Sequence, residues 1–303
     1  MHLPERPPRA RVMTLTLLAM IAFAGNSLLC RAALKETRID PATFTAVRII
    51  AGTLVLWLIV HLRGGTARGA GNWLSALALF AYAAGFSFAY ISLPAGTGAL
   101  LLFGAVQASM IGYGIWSGER LKILQIIGLA LALAGLAGLL LPGASAPPLV
   151  GSSLMLSAGV AWGIYSLRGR HAGEPVRTTA ENFLKAVPFA VALSLVALPW
   201  ASLDARGILY AIASGALASG IGYAIWYTAL KGLRATHAAS VQLSVPIIAA
   251  IGGIILLGEH LTLRLLIASI AILGGIALVI LDKRDADVDV DAARLPNRNK
   301  VRN

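Results

Sequence analysis

The stretch WLSALALFAYAAGFSFAYISLPAGTGALLLFGAVQASMIGYGIWSG, Trp73 to Gly118, contains no acidic, basic or histidine side chain. It is too long for one membrane helix, which needs about 17–25 apolar residues. At its centre Leu93-Pro94-Ala95-Gly96 has the chemistry of a turn, with proline fixing φ and glycine freeing it. The stretch therefore reads as a helical hairpin that crosses a bilayer twice. Working outward, the run from Ile123 to Leu167 divides in the same way at Pro142-Gly143 and Pro147-Pro148. Ten segments then meet the length requirement: Met13–Leu34, Ala42–Val60, Trp73–Leu93, Ala95–Trp116, Leu121–Leu141, Gly151–Leu167, Thr179–Trp200, Ile208–Leu230, Thr236–Leu257 and Leu261–Leu281. The expected fold class is an all-α membrane protein.

Composition points the same way. Of 303 residues, 58% are hydrophobic and 13% charged, against about 25% charged in soluble domains. The net charge of +12 does not call for a nucleic-acid partner, because the basic residues sit between the apolar runs. An even number of spans puts both termini on one side. With that side cytoplasmic, only Lys35, Arg38, Arg206 and Arg264 fall on the opposite face, and only Arg31, Arg48 and Lys185 within spans. All the others of the 25 Lys and Arg lie on the cytoplasmic side, as the positive-inside bias requires. The expectation is a multi-pass protein of the cell inner membrane with both termini cytoplasmic. Its first apolar run is read as a retained span, since nine more follow. The sole cysteine, Cys30, allows no intramolecular disulfide and gives no reason to expect redox chemistry or a thiolate metal site. Residues 285–303, where Asp alternates with Val and Ala before a basic end, are expected to be a disordered cytoplasmic tail.

Sliding the chain on itself by 140 positions brings Gly118-Glu119-Arg120-Leu121 onto Gly258-Glu259-His260-Leu261, Leu93 onto Leu233, Ala95 onto Ala235, Phe86 onto Trp226 and Gly135 onto Gly275. Slightly smaller shifts set Gly25 on Gly163 and Arg48 on Lys185. The chain thus divides into a first five-helix repeat, 11–145, and a second, 149–284. Five is odd, so the two repeats cross the membrane in opposite senses. Inverted repeats recur in secondary transporters, with the substrate site near midplane between them. A duplicated membrane protein that transports nothing is the alternative.

The run Gly222-Tyr223-Ala224-Ile225-Trp226-Tyr227-Thr228-Ala229-Leu230-Lys231, followed by Ala235-Thr236-His237-Ala238-Ala239, Val245-Pro246-Ile247-Ile248-Ala249-Ala250 and Gly258-Glu259-His260-Leu261, resembles the second repeat of the drug/metabolite transporter superfamily, EamA type. Gly25-Asn26-Ser27, Arg48 and Gly118-Glu119-Arg120-Leu121 carry a looser resemblance in the first half, where Val106 stands in place of Pro246. Over residues 13–282 the resemblance implies ten spans, no cofactor, and export of amino acids, including aromatic ones, or of other metabolites. A cationic drug, a sugar phosphate, or a non-transporting sensor role are the alternatives.

Aromatics make up only 7% of the chain, so their grouping matters. Tyr82, Phe86 and Tyr90 recur every fourth residue and share one helix face. Trp162 and Tyr165 stand together on the sixth span, and Tyr223, Trp226 and Tyr227 on the eighth. Such rings suit a cavity for aromatic or aliphatic groups, although helix association would use them equally, and Trp73, Trp116 and Trp200 mark span ends. Arg48, about two turns inside its span, is read as structural or as a partner for a substrate carboxylate. Lys185 is read as snorkelling to the headgroups. Asn26, Ser27, Gln107, His237, Ser240, Gln242 and Ser244 are candidates to contact a zwitterion, though Ser and Gln also hold membrane helices together. Gly114 to Gly118 and Gly159 to Gly163 read as close-approach motifs, and Glu119 and Glu259 as carboxylates facing the N-termini of the helices that follow them. No metalloprotease, nucleophile-elbow or phosphate-loop motif occurs, so no catalytic residue is named and no enzyme is expected. Nor do rings of acids suggest a channel. The small-molecule substrate and the lipid bilayer are the expected partners, with the protein a monomer. No acid lies mid-span and His237 is the single plausible titrating group, so the expected flux is facilitated diffusion.

Overall fold

A computed structural model of the chain describes residues 8–65, 71–169, 174–230, 232–233 and 235–294. Among them ten helices are long and apolar enough to cross a membrane, and no strand occurs. These are α1 (Arg9–Glu36), α2 (Pro41–Leu62), α3 (Trp73–Tyr90), α4 (Ala95–Trp116), α5 (Ile123–Leu140), α6 (Leu149–Gly169), α7 (Pro175–Val196), α8 (Ala205–Leu230), α9 (Ala235–Gln242 continued by Ser244–Leu257) and α10 (Leu263–Arg294). Only Leu263–Leu281 of α10 is apolar span.

Local chemistry sets the helix ends. Asp40 caps α2, its Oδ1 accepting from the amides of Ala42 (3.0 Å) and Thr43 (2.9 Å). Its Oδ2 accepts from the Ser202 amide at 3.0 Å, tying the first repeat to the second. Burial works to raise the Asp40 carboxyl, but the hydrogen bonds from Thr43, Ser202 and Ala42 outweigh it and hold the group below its ordinary range. Both α4 and α9 stop at glycines in the left-handed region, Gly118 (φ +93°) and Gly258 (φ +60°), where a side chain would be strained.

The even count puts the first and last helices' outer ends on one side of the bundle, here the near side. Contacts between connections agree with the alternation. On the near side Gly71 meets Glu181 and Asn72 meets Asn182. On the far side Arg264 Nη1 donates to the Leu141 carbonyl, as Ser202 donates to Asp40.

The two repeats interlock. Helix α6 lies against α3 and α4, while its counterpart α1 lies against α8 and α9; α2 meets α7, α4 meets α9 and α5 meets α10. This exchange of partners is what a twofold relation between inverted five-helix repeats produces. Lipid gives such helices no hydrophobic reason to associate, so close approach must supply dispersion contacts. Glycines permit it. A Cβ at Gly159 would come within 2.6 Å of the Leu102 carbonyl, and one at Gly128 within 2.5 Å of the Gly275 carbonyl. Gly159 and Gly163 thus seat α6 on α4. Gly114 and Gly118 do not form such a seat, because Gly118 ends its helix and Gly114 faces the Glu119 carboxylate.

Two helices are irregular. Ser214–Ile221 of α8 form a π-helical segment, a feature frequent at functional sites. Helix α9 breaks at Leu243, where Pro246 lacks the N–H that would bond the Gln242 carbonyl. Its counterpart Val106 leaves α4 continuous, so the mismatch between the repeats becomes a structural asymmetry.

The expectation of disorder from residue 285 differs from the structure up to Arg294, through which α10 continues. No glycine or proline separates Asp282 from Leu295, so propagation adds a bond per residue at no nucleation cost. Residues 295–303 lie outside the described residues. So do Arg6, Arg68, Arg170, Lys231, Arg234, Arg298, Lys300 and Arg302 among the basic residues used to orient the chain.

Cysteines introduced singly at Ala146 and Ser117, with the buried Cys30 as background, are expected to react with an impermeant maleimide from opposite sides of sealed vesicles. Labelling of both from one side contradicts the alternation.

Candidate functional site

A cavity of about 420 Å³ runs from mid-bundle to the near-side ends of α4, α6, α7, α8 and α9. One wall comes from α3, α4 and α6, with Tyr82, Phe86, Gln107, Trp162 and Tyr165. The facing wall comes from α1, α8 and α9, with Phe23, Asn26, Ser27, Tyr223, Trp226 and Gln242. The rings form one continuous assembly. Tyr82 meets Trp162 at 4.7 Å between centroids, Trp162 stacks on Tyr165 (5.2 Å) and on Tyr223 (5.4 Å), and Phe23 meets Tyr223 and Trp226 at 5.7 and 5.9 Å. Helix α7 adds a polar edge, Thr178, Thr179 and Asn182, with the Tyr165 hydroxyl donating to Thr179 Oγ1 at 3.3 Å. Among the described residues no carboxylate, cationic side chain or histidine lines the cavity.

The four-residue spacing on α3 explains the wall. Tyr82 and Phe86 face the cavity, while Tyr90, one turn further, is wholly buried and closes the far side, its hydroxyl bonded to the Ala95 carbonyl at 3.2 Å.

Beneath the wall lies Arg48, 2% exposed. Its guanidinium sits 5.2 Å from the Tyr82 ring centroid and 4.9 Å from that of Phe86. Its Nη2 donates to the Tyr82 hydroxyl at 2.8 Å. Its Nη1 is buried with no hydrogen-bond partner, and among the described residues no carboxylate pairs with it. The same hydroxyl accepts from Asn26 Nδ2 at 3.2 Å, and Asn26 Oδ1 in turn accepts from Ser214 Oγ at 2.6 Å, at the start of the π-helical segment.

The structure thus gathers Asn26, Ser27, Tyr82, Phe86, Gln107, Trp162, Tyr165, Tyr223, Trp226 and Gln242 around one cavity and sets Arg48 behind it. It does not bring His237, Ser240 or Ser244 there. The face of α9 that meets the cavity carries Ala238, Ala239 and Gln242. His237 is exposed, Ser240 is half-buried off the lining, and Ser244 turns its hydroxyl to the Val241 carbonyl at 2.7 Å.

One charge reading gains partners and another changes. Lys185 reaches toward the near side, where its Nζ pairs with Glu181 at 2.8 Å and donates to the Gly71 carbonyl at 2.8 Å. Glu259 serves no helix of its own. Its Oε2 accepts from the Ala95 amide at the start of α4 (2.8 Å), where an anion meets the helix dipole, and its Oε1 pairs with Arg31 at 3.1 Å. Arg31 Nη1 holds the carbonyls of Tyr90 (2.9 Å) and Ile91 (3.0 Å), and Lys35 the Leu257 carbonyl (2.8 Å). Together these bonds clasp the far side shut. Sequence reasoning did not single out Phe23, Thr178, Thr179 or Asn182, while Tyr227, named with the rings of the eighth span, does line the cavity. The polar face Thr178, Thr179, Asn182 in an otherwise apolar span was the available signal for α7; a lone Phe23 in an apolar run gives none.

Each half matches the model of the EamA-like transporter family, over residues 10–141 and 149–281. The chain belongs to that family. It is a multi-pass membrane transporter of small solutes. An uncharacterized protein of Pseudomonas aeruginosa is 57% identical over 274 residues, 90% of this chain and 96% of its own length. The uncharacterized transporter YvbV of Bacillus subtilis is 25% identical over 287 residues, 90% of this chain and 92% of its own. A solved crystal structure covering 92% of this chain superposes with a TM-score of 0.65 at 18% identity, which establishes likeness of fold.

Glu181→Gln in this EamA-like transporter leaves Lys185 without its counter-charge, and the expected loss of stability is about 1–3 kcal/mol. A thermal-unfolding midpoint in detergent checks it. Adding Lys185→Met should recover part of the loss, and a double variant no better than the single one contradicts the ion pair's role.

Proposed function

We propose that this transporter exports amino acids, aromatic ones among them, across the cytoplasmic membrane, working as a monomer with its near side and both termini in the cytoplasm. The observation that carries the reading is the cavity wall: a continuous box of Tyr82, Phe86, Trp162, Tyr165, Tyr223 and Trp226, edged by amide and hydroxyl groups. Flat apolar faces with a few fixed polar tips suit a solute with an apolar side chain and a zwitterionic head. A volume of about 420 Å³ lies within the range of small-molecule sites. The positive-inside bias supports the orientation. On it, the cavity reaches the cytoplasmic end while the clasp of Arg31, Glu259 and the α4 N-terminus closes the outer end, which suits uptake of solute from the cytoplasm followed by alternating access.

The lining also supports a reading of the energy coupling. Proton-driven carriers relay protons through intramembrane acids or histidines, and among the described residues none lines this cavity. Flux is facilitated diffusion down the solute gradient.

The test is a counterflow screen of the twenty amino acids in proteoliposomes, with and without an imposed pH difference. Saturable flux including phenylalanine, tyrosine or tryptophan is expected, with no uphill accumulation driven by pH and no change in His237→Ala. Flux only for a sugar phosphate or a cationic drug, or none for any solute, overturns the substrate reading. Proton-driven accumulation overturns the energetic one.

A further inference from the structure

We propose that the Tyr82 hydroxyl, polarised from behind by Arg48, is the hydrogen-bond donor that recognises a carboxylate on the transported solute. The inference rests on the amino-acid reading and names the group of the solute that the site reads.

The first observation is the saturation of the Tyr82 oxygen. It accepts from Arg48 Nη2 at 2.8 Å and from Asn26 Nδ2 at 3.2 Å. A phenolic oxygen has two acceptor positions and one proton, so both acceptor positions are filled. What remains is an O–H donor on a side chain that lines the cavity. Asn26 is held in the donating orientation because its own oxygen is taken by Ser214 at 2.6 Å. The hydroxyl therefore cannot serve an ammonium group or another donor. It can serve an acceptor.

The second observation is the unbalanced charge behind it. Arg48 and Lys185 occupy equivalent depths of the two repeats, yet Lys185 has Glu181 one turn away at 2.8 Å, while the position equivalent to Glu181 in the first repeat is Phe44, which is wholly buried. Arg48 consequently has ring faces and one hydroxyl for company, with Nη1 unbonded and the residue 2% exposed. A cation desolvated without a counter-ion is costly and favours an anion arriving at the Tyr82 hydroxyl, through which its charge is conveyed. Hydrogen bonds involving charged groups are the strong ones. Tyr82 touches the solute; Arg48 is a positioning residue that acts through it.

The experiment measures binding to purified protein of three probes: phenylalanine, phenylalaninamide, and 3-phenylpropionate, which keeps the carboxylate and lacks the amine. Wild-type protein should prefer phenylalanine to its amide. Tyr82→Phe, which deletes one oxygen from the wall, should weaken phenylalanine and phenylpropionate about ten- to a hundredfold and the amide, whose carbonyl is a neutral acceptor, by clearly less. Arg48→Lys should erode the acid-over-amide preference while the fold, read by the thermal midpoint, persists. Equal effects of Tyr82→Phe on acid and amide, or none on the acid, overturn the inference even where amino acids are transported. Failure of phenylalanine to bind while phenylpropionate binds and depends on Tyr82 overturns the amino-acid reading and leaves the inference standing. Binding of neither carboxylate overturns both.

Discussion

In hydrocarbon, helices gain nothing from hiding apolar surface from one another, so what holds this bundle together is contact at distances that only small residues allow. The crossing of α5 and α10 at Gly128 and Gly275, and that of α4 and α6 at Gly159 and Gly163, leave no room for a Cβ. The other architectural facts hang on these approaches. Because α6 of the second repeat is seated on α3 and α4 of the first, and α1 of the first on α8 and α9 of the second, the bodies that face each other across the cavity are the exchanged bundles α3–α4–α6 and α1–α8–α9, one on each wall. Each wall thus draws helices from both sequence repeats. Helices on the symmetry axis, α2 with α7 and α5 with α10, join the two.

Charge is placed with equal economy. The ion pair of Arg31 with Glu259 belongs to the α1–α8–α9 side, and its free hydrogen-bonding positions grip the α3–α4 turn of the other bundle. It is thus both a membrane-embedded charge made tolerable and a closure. Lys185 with Glu181 does the corresponding work on the near side by holding the chain that enters α3. Unlike Arg31 and Lys185, Arg48 has no carboxylate partner among the described residues, and it stands beneath the ring wall where a solute would arrive.

Much of this was legible in the residues. Spans announce themselves because backbone satisfied in lipid requires long apolar helices, and the Gly-Glu pairs after α4 and α9 exposed the repeat. Rings at four-residue spacing on α3 identified the wall. What sequence could not supply was rotation about each helix axis and partner choice across the bundle. His237, Ser240 and Ser244 are as polar as Gln242, but α9 turns only the last toward the cavity. Glu259 is close in sequence to α10, but its partners are 228 and 164 positions away. Phe23 joins the cavity only because α1 crosses to the second repeat.

The central claim is that the two walls of the cavity alternate its access between the near and far sides, and that the clasp on the far side opens when they do. Spin labels at Ile91, on the α3–α4 turn, and His260, beyond α9, are both exposed and sit on opposite bundles beside the clasp. Pulsed electron paramagnetic resonance in lipid reads the distance between them. The account predicts a second, longer distance population when a transported solute is present, enlarged further in Glu259→Gln. One unchanged distance under conditions where flux is measured would contradict it.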